Sequence, residues 1–460
     1  MVSNLENQND NHMDYRIDNA TTDKRYELAE AKNAMKYKKH VVKNMKHFTN
    51  QHTKSNNEWT PNNDEWTSNN DEWTDKEYEH TIENMKTYIP KLPNSLLFFI
   101  SAALHRGDCG RSATDRPLWL DMDMFQRGQK FAREHIFSIF LANMLSLFQL
   151  FTFIDGLKPM ILSRQSHTPY LAFRRYLSTV CRVKNWITED PWTENTKAHQ
   201  DIQTVRRMHR AIRLKLCEYD QEELDAATKI PNPWCPDRKT ILEDFSSCPY
   251  PTVANGCLHL LLKPTGLNQA DMAATQFAFM GIILLYPHEL GVHVSDEDMI
   301  AFCHLWRGIG YLLGIEDEYN FCRGSLEEIK QRGRDFTETW VRPYLRQVTP
   351  EWEHMLRCLV KGTNYYMPNS LAFNQILLLF ADLLSINMPH MRKTLTYFQR
   401  LQLMLLRFIL HYGMKIQFVR KYVNRRVLKS LDKVTKFDRE KHKTLKKRSA
   451  QKVPDFFCDS

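Results

Sequence analysis

The sequence lacks the features that define several common classes of protein. Its ten cysteines include no Cys-x-x-Cys pair, which argues against a zinc ribbon or a thioredoxin-like redox site. No Gly-x-Ser-x-Gly signature supports a serine nucleophile. The first residues combine no basic cluster with an apolar run, so no cleavable signal peptide is expected. Together these absences favour a reducing, intracellular compartment with free thiols.

Glycine and strand-like patterns are also scarce. Only 15 of the 460 residues are glycine, and no segment sustains the two-residue alternation of a half-buried strand. Several long stretches follow the helical period instead, which predicts an all-α protein. We expect one large helical domain over residues 91–420, preceded by a disordered tail over 1–90 and followed by a basic tail over 421–460.

The predicted N-terminal tail is polar and carries a short repeat. The motif NNEWT or NNDEWT occurs three times and places tryptophans at Trp59, Trp66 and Trp73. Segments rich in Asn and Asp bury too little apolar surface to offset the entropy of the chain, so disorder is expected. The tryptophans could form a docking motif, or the repeat could be a neutral duplication.

The net charge of +9 comes largely from a basic segment that begins at Lys421. Thirteen Lys and Arg residues between Lys421 and Lys452 face only Asp432, Asp438 and Glu440. Such a run suits anionic lipid headgroups, although it could also be a solvated tail. No aromatic residue lies between Phe437 and Phe456, and no nucleic-acid motif accompanies the run. A membrane surface is therefore a candidate partner, and nucleic acid is not expected.

The segment Ile136–Ile154 is apolar over nineteen residues and is the one candidate for membrane insertion. Polar residues interrupt it at Asn143, Ser146, Gln149 and Thr152, and no basic cluster follows. We favour a buried core helix or a membrane-facing helix over a true span.

A histidine occupies a core position in the stretch Ile202–Leu216. On a helix, the aliphatic residues of this stretch form one stripe, made of Ile202, Val205, Ile212 and Leu216. His209 fills the gap in that stripe. Such an imidazole is either a core histidine bonded to a backbone carbonyl or an axial ligand to haem iron. The spacing alone does not choose between the two.

Four stretches, in this order, resemble the rubber oxygenase family, the group that includes latex-clearing protein and the endoplasmic-reticulum-bound oxygenase of mycophenolic acid biosynthesis. They are RYLST (Arg175–Thr179), RRMHRAI (Arg206–Ile212), GLNQADMAATQFAF (Gly266–Phe279) and HLWRGIGYLLGIEDE (His304–Glu318). The interval of 34 residues between Arg175 and His209 is similar to the family's arginine-to-histidine interval. The likeness covers roughly Trp119 to Glu318.

The resemblance implies an all-helical fold with a globin-like core around haem b. It implies that His209 is the axial ligand to the iron. It also implies that Arg175 and Thr179 are catalytic residues beside the haem, with Arg175 holding the site or a propionate. The implied substrates are dioxygen and an apolar isoprenoid or terpenoid lipid. The implied location is the cytoplasm or the membrane of the endoplasmic reticulum.

Two positions depart from the family's pattern. Ser178 stands where rubber oxygenase has a lysine that can occupy the distal position of the haem. Pro159 stands at the spacing of the family's glutamate base. The alternative is therefore a non-catalytic helical adaptor at a lipid surface, which has kept the fold and lost the chemistry.

Other histidines compete with His209. His304 lies on the buried face of a predicted helix over Asp296–Gly314, which we expect Asp296 to cap. It is either a second candidate ligand or a core histidine beside a tryptophan. His259, His288 and His293 lie near predicted turns, and their spacing fits no compact metal triad.

Overall fold

The computed structural model describes residues 92–103, 105–250, 267–367 and 371–453. The predicted N-terminal tail, with its tryptophan repeat, lies outside the described residues, as does His259. The division into 1–90, 91–420 and 421–460 stays a prediction.

The described residues form α-helices joined by short connections. The helices are α1 Phe98–Ala102, α2 Met122–Glu134, α3 Ile136–Leu150, α4 Ile154–Leu162, α5 Pro169–Thr188, α6 Lys197–Cys217, α7 Gln221–Ala227, α8 Arg238–Phe245, α9 Gln269–Leu285, α10 Asp296–Leu312, α11 Leu326–Phe336, α12 Arg342–Leu345, α13 Pro350–Thr363, α14 Phe373–Leu383, α15 Pro389–Lys393, α16 Tyr397–His411, α17 Gln417–Val434 and α18 Arg439–Ala450. A π-helical turn over Thr337–Val341 joins α11 to α12. Within the described ranges there is no β-strand, only an isolated bridge between Arg106 and Asn268. The predicted all-α fold is confirmed.

One hydrophobic core, running in sequence from Leu92 to Met414, holds most of these helices together. Helix α2 packs along α10, and α3 packs along α9. The α2–α10 contact depends on Gly128, because a Cβ atom there would overlap the carbonyl oxygen of Ala301. The absence of a side chain lets the two helix backbones approach closely.

Polar side chains cap the helices that carry the site. Thr168 accepts a hydrogen bond from the backbone of Leu171 at the start of α5, and Thr196 does the same for His199 at the start of α6. Helix α10 is capped by Ser295 rather than by the expected Asp296, which is the first helical residue. The prediction of the cap was wrong by one position, because Ser and Asp are both strong N-cap residues and stand side by side.

The apolar segment Ile136–Ile154 is not one helix. Helix α3 ends at Leu150, and α4 begins at Ile154 with a bend of 108° between the two. Most of α3 is buried against α9. No single helix among the described residues is long and apolar enough to cross a membrane, although the bent pair meets the criteria of length and composition.

The basic C-terminal segment forms the two helices α17 and α18. Its charged side chains are largely exposed, while Val427, Leu431, Val434 and Leu445 are buried against α5. The hydroxyl of Ser449 accepts a hydrogen bond from the backbone of Tyr170 at the start of α5. This segment, which stood out in the sequence only by its charge, therefore packs against the helix that carries Arg175 and Thr179.

Candidate functional site

A large cavity lies between helices α3, α4, α5, α6, α9, α10 and α16. Its volume is about 1720 Å³, well above the roughly 300–1,000 Å³ of an ordinary small-molecule pocket. Most residues on its wall are apolar, with leucine, phenylalanine and isoleucine the commonest types, and polar and charged side chains lie among them. Five residues singled out from the sequence lie on this wall, namely Pro159, Arg175, Ser178, Thr179 and His209.

His209 presents a neutral imidazole to the cavity. Burial, together with the positive charges of Arg213 and Arg175, lowers the pKa of His209 to about 4, against a weaker opposing effect of Asp108. The ring is therefore uncharged at neutral pH, which is the state that can donate a lone pair to a metal. Its Nδ1 is enclosed by protein and has no hydrogen-bond partner among the described residues. Nε2 is thus the nitrogen that can face the cavity.

Helix α6 is held in place by contacts on the N-terminal side of His209. One turn before it, Arg206 forms a two-pronged ion pair with Asp108, with 2.6 Å between Nη2 and Oδ1 and 2.9 Å between Nε and Oδ2. Arg206 also donates to the carbonyl oxygen of Arg111 at 2.6 Å. Nearer its start, α6 is bound to α5 by the amide of Asn185, which donates to Asp201 at 2.7 Å. These contacts fix the depth at which the imidazole stands in the wall.

Arg175 is a buried cation whose hydrogen-bond partners among the described residues are all neutral. Its guanidinium donates to the hydroxyl of Ser163 at 2.8 Å, to that of Ser166 at 3.3 Å and to the sulfur of Met160 at 2.8 Å. No carboxylate among the described residues forms an ion pair with Arg175, and burial lowers the pKa of its guanidinium. A buried guanidinium of this kind is strongly stabilised by an anion that enters the cavity.

The segment that carries Ser163 and Ser166 is itself fixed by a buried histidine. His354 of α13 donates from Nε2 to the carbonyl oxygen of His167 at 2.8 Å, and its Nδ1 accepts from the backbone N–H of Trp234 at 2.8 Å. The connection between α4 and α5, which carries both hydroxyls that bond Arg175, is therefore held in place.

Thr179 also lines the cavity, and so do Ser178 and Pro159, the two residues that depart from the family's pattern. The Thr179 hydroxyl donates to the carbonyl oxygen of Arg175 at 3.2 Å, one turn back on α5. Ser178 and Pro159 line the wall, Pro159 from within α4. Pro159 stands at the spacing of the family's glutamate, and its side chain has no group that can transfer a proton.

A carboxyl group that no sequence motif singled out lines the same cavity. Asp271 lies in the first turn of α9 and forms a capping box with Asn268. Burial raises the pKa of Asp271 to about 7, reinforced by the charge of Asp155. The spacing Asn-x-x-Asp before an apolar run was a readable sign of a helix start, but nothing in it indicated that the carboxyl would line a cavity.

The other candidate histidines lie elsewhere. His304 accepts a hydrogen bond at Nε2 from the backbone N–H of Asp121 at 3.1 Å and packs edge-on against Trp119. It is absent from the cavity wall and has the geometry of a structural core histidine. His288 and His293 are paired through their Nδ1 atoms, 3.0 Å apart. Among the described residues, no group of three or more His, Cys, Asp or Glu could hold a metal ion.

The residues of the cavity have the chemistry that a haem group requires. His209 offers one neutral nitrogen ligand, and Arg175 offers a buried cation for a propionate carboxylate. The apolar wall suits the macrocycle, and the volume leaves room for a further apolar molecule. One expected feature is missing, because no described protein atom accepts a hydrogen bond from Nδ1 of His209, where a bound imidazole usually finds an acceptor.

Comparisons with known proteins give little beyond this geometry. No family model matches the sequence, and no curated protein matches it. The solved structure of latex clearing protein in the closed state matches with a TM-score of 0.41 and 15% sequence identity, covering 77% of this chain and 89% of that chain. A likeness at this level does not establish a shared fold or function.

Proposed function

We propose that this protein is a haem b-dependent oxygenase that acts on an apolar isoprenoid or terpenoid lipid. We further propose that it works inside the cell, in the cytoplasm or at the membrane of the endoplasmic reticulum. The observation that carries the proposal is the uncharged, unpaired imidazole of His209 on the wall of a large apolar cavity. One of the four stretches that resemble the rubber oxygenase family, Arg206–Ile212, contains the same residue.

Two polar residues of the wall would hold the haem in this proposal. His209 would bind the iron through Nε2, and the contacts of Arg206 and Asn185 would keep α6 in position. Arg175 would pair with a propionate carboxylate, which would also neutralise its buried charge. When bound, haem supplies redox chemistry toward dioxygen.

The rest of the cavity selects and protects the substrate. The aliphatic and aromatic wall binds an isoprenoid chain by removing its surface from water, and it excludes water from the reacting centre. Asp271 can hold a proton or accept one at its carboxyl, because its pKa lies near neutrality. This carboxyl can take the role of the family's glutamate, whose spacing Pro159 occupies.

The proposal is tested by oxygen uptake. Purified protein loaded with haem, given squalene or a short polyisoprene as the lipid, should consume dioxygen and yield an oxygenated product of shifted mass. A His209→Ala variant treated identically should do neither. Haem-loaded wild type that leaves all such lipids unchanged under oxygen would contradict the proposed activity.

The second candidate function is a non-catalytic adaptor at a lipid surface. It is favoured by Pro159 and Ser178, which remove two groups of the family's chemistry, and by the exposed basic side chains of α17 and α18. An adaptor would bind lipid surfaces without binding haem in the cavity. The same purified protein therefore distinguishes the two candidates by its haem content.

A further inference from the structure

The exposed large apolar side chains of the described residues are concentrated in one short stretch. Fifteen large hydrophobic side chains are exposed among the described residues, and ten of them lie between Tyr397 and Tyr422. Monomeric soluble proteins rarely present contiguous apolar patches of this kind unless the patch binds something.

The ten residues lie on α16, on the turn that follows it and at the start of α17, and they divide into two sets. Phe398, Leu401 and Leu405 line the cavity, so part of their exposed area faces its interior. Seven others are absent from the cavity wall and are exposed by 56–84%, namely Tyr397, Met404, Phe408, Tyr412, Ile416, Phe418 and Tyr422. We call these seven residues the outer apolar face.

The two sets are neighbours around the helix. At 3.6 residues per turn, Tyr397, Met404 and Phe408 fall on one stripe, and the cavity-lining residues follow on the adjacent stripe. The opposite side of α16 is buried through Leu403 and Leu410. The helix is thus apolar around most of its circumference, and its exposed side borders the rim of the cavity.

The charge along this stretch is mostly positive. From Leu383 to Leu431 the chain contains ten Lys and Arg residues and no Asp or Glu. Two of the ten, Arg392 and Arg407, form ion pairs with Asp382. Lys415, Lys421 and Arg425 are exposed beside the apolar residues. An apolar stripe with aromatic residues and flanking basic side chains is the pattern of a helix that lies in the interface of an anionic membrane.

We propose that the outer apolar face docks on an anionic lipid bilayer and that the cavity receives its ligand from that bilayer. Docking needs no haem, whereas the delivery of a lipid substrate rests on the function proposed above. With α16 at the boundary of the headgroups, the cavity-lining residues Phe398, Leu401 and Leu405 form a continuous apolar path from the bilayer to the interior. An isoprenoid then enters without crossing water.

Vesicle flotation of the full-length protein tests the docking. Wild type should float with vesicles of phosphatidylcholine and phosphatidylserine and bind vesicles of phosphatidylcholine alone more weakly. The double variant Met404→Ser/Phe408→Ser replaces two side chains that are exposed to solvent and do not line the cavity. It should lower the partition coefficient by at least about tenfold. The matched control Leu118→Ser/Ile300→Ser changes exposed hydrophobic residues elsewhere and should float as wild type does.

A second variant tests the electrostatic part independently. Lys421→Glu/Arg425→Glu should remove the preference for phosphatidylserine while the fold, followed by circular dichroism, is unchanged. Wild type that stays unbound to both kinds of vesicle would overturn the proposal. So would a wild-type dimer that Met404→Ser/Phe408→Ser converts to a monomer without any vesicle binding, because a second copy would then cover the face. If the protein binds haem but does not bind vesicles, this inference is overturned and the proposed oxygenase function is unaffected.

Discussion

At the scale of single residues, Arg175 gives the cavity its strongest preference for an anion. Replacing it by Met removes a buried cation whose described partners are all neutral. In the absence of haem, the free energy of unfolding of Arg175→Met should therefore stay within about 1 kcal/mol of wild type, or rise. Haem affinity should fall by about tenfold or more, since a hydrogen bond to a charged group is worth about 1.5–3 kcal/mol.

Urea denaturation without haem measures the free energy of unfolding, and haem titration followed by absorbance measures the haem affinity. Arg175→Lys is the matched control, because it keeps the charge and loses the planar fork, so its affinity should be intermediate. Unchanged haem affinity in Arg175→Met would remove this residue from the site.

Asp271 gives the protein a distinct pH dependence. Its carboxyl keeps a proton up to about pH 7 in the folded protein, because burial raises its pKa, whereas the unfolded chain releases the proton near the ordinary pKa of 3.8. The folded state therefore binds more protons than the unfolded state in this window, and the stability contributed by Asp271 falls as the pH rises from about 4 to 7. The limiting slope for one such proton is about 1.4 kcal/mol per pH unit.

Asp271→Asn should flatten this part of the profile and be more stable than wild type at pH 8, because an amide has no charge to bury. Its oxygen can still accept the hydrogen bond of the capping box. Urea denaturation at several pH values measures the difference. Parallel profiles for the two proteins would mean that Asp271 does not titrate as described.

At the scale of secondary structure, periodic helices were predictable and their ends were not. The stripe of Ile202, Val205, Ile212 and Leu216 predicted α6, because one apolar face must meet the core. The apolar run Ile136–Ile154 gave no sign of the break after Leu150. There Thr152 donates to the carbonyl oxygen of Gln149, and such local side-chain bonds compete with the helix.

The contact of α2 with α10 can be tested at Gly128. Gly128→Ala should destabilise the protein by about 1–3 kcal/mol, because the added methyl group would displace the backbone of α10. The gain in helix propensity, about 1 kcal/mol, does not offset this. Gly156→Ala is the matched control. The nearest atom to its new Cβ is 3.7 Å away, so it should be neutral or stabilising. Equal stability of the two variants in urea denaturation would contradict the close packing.

At the scale of the whole molecule, the sequence indicated the polar residues of the site but not the cavity. His209 was recognisable because it interrupts an apolar stripe, and Arg175 because of its motif. The space between seven helices depends on how all of them pack, and no local pattern records it. Asp271 was missed for this reason, since a helix cap and a cavity carboxyl look alike in sequence.

The exposed face of α16 was missed for a related reason. The sequence of Tyr397–His411 is apolar on most sides, which predicts burial. Only the packing of Leu403 and Leu410 toward the core shows that Met404 and Phe408 are left outside. The basic segment from Lys421 was expected to meet a membrane through charge alone, whereas the structure adds an apolar surface beside it.

The central claim, that His209 holds a haem in the cavity, is tested most directly by the absorption spectrum of the purified protein titrated with haem, oxidised and then reduced with dithionite. We expect a Soret band that saturates at one haem per chain in wild type, and its loss or displacement in His209→Ala. A folded wild-type protein without a Soret band, or a His209→Ala variant with the wild-type spectrum, would contradict the account.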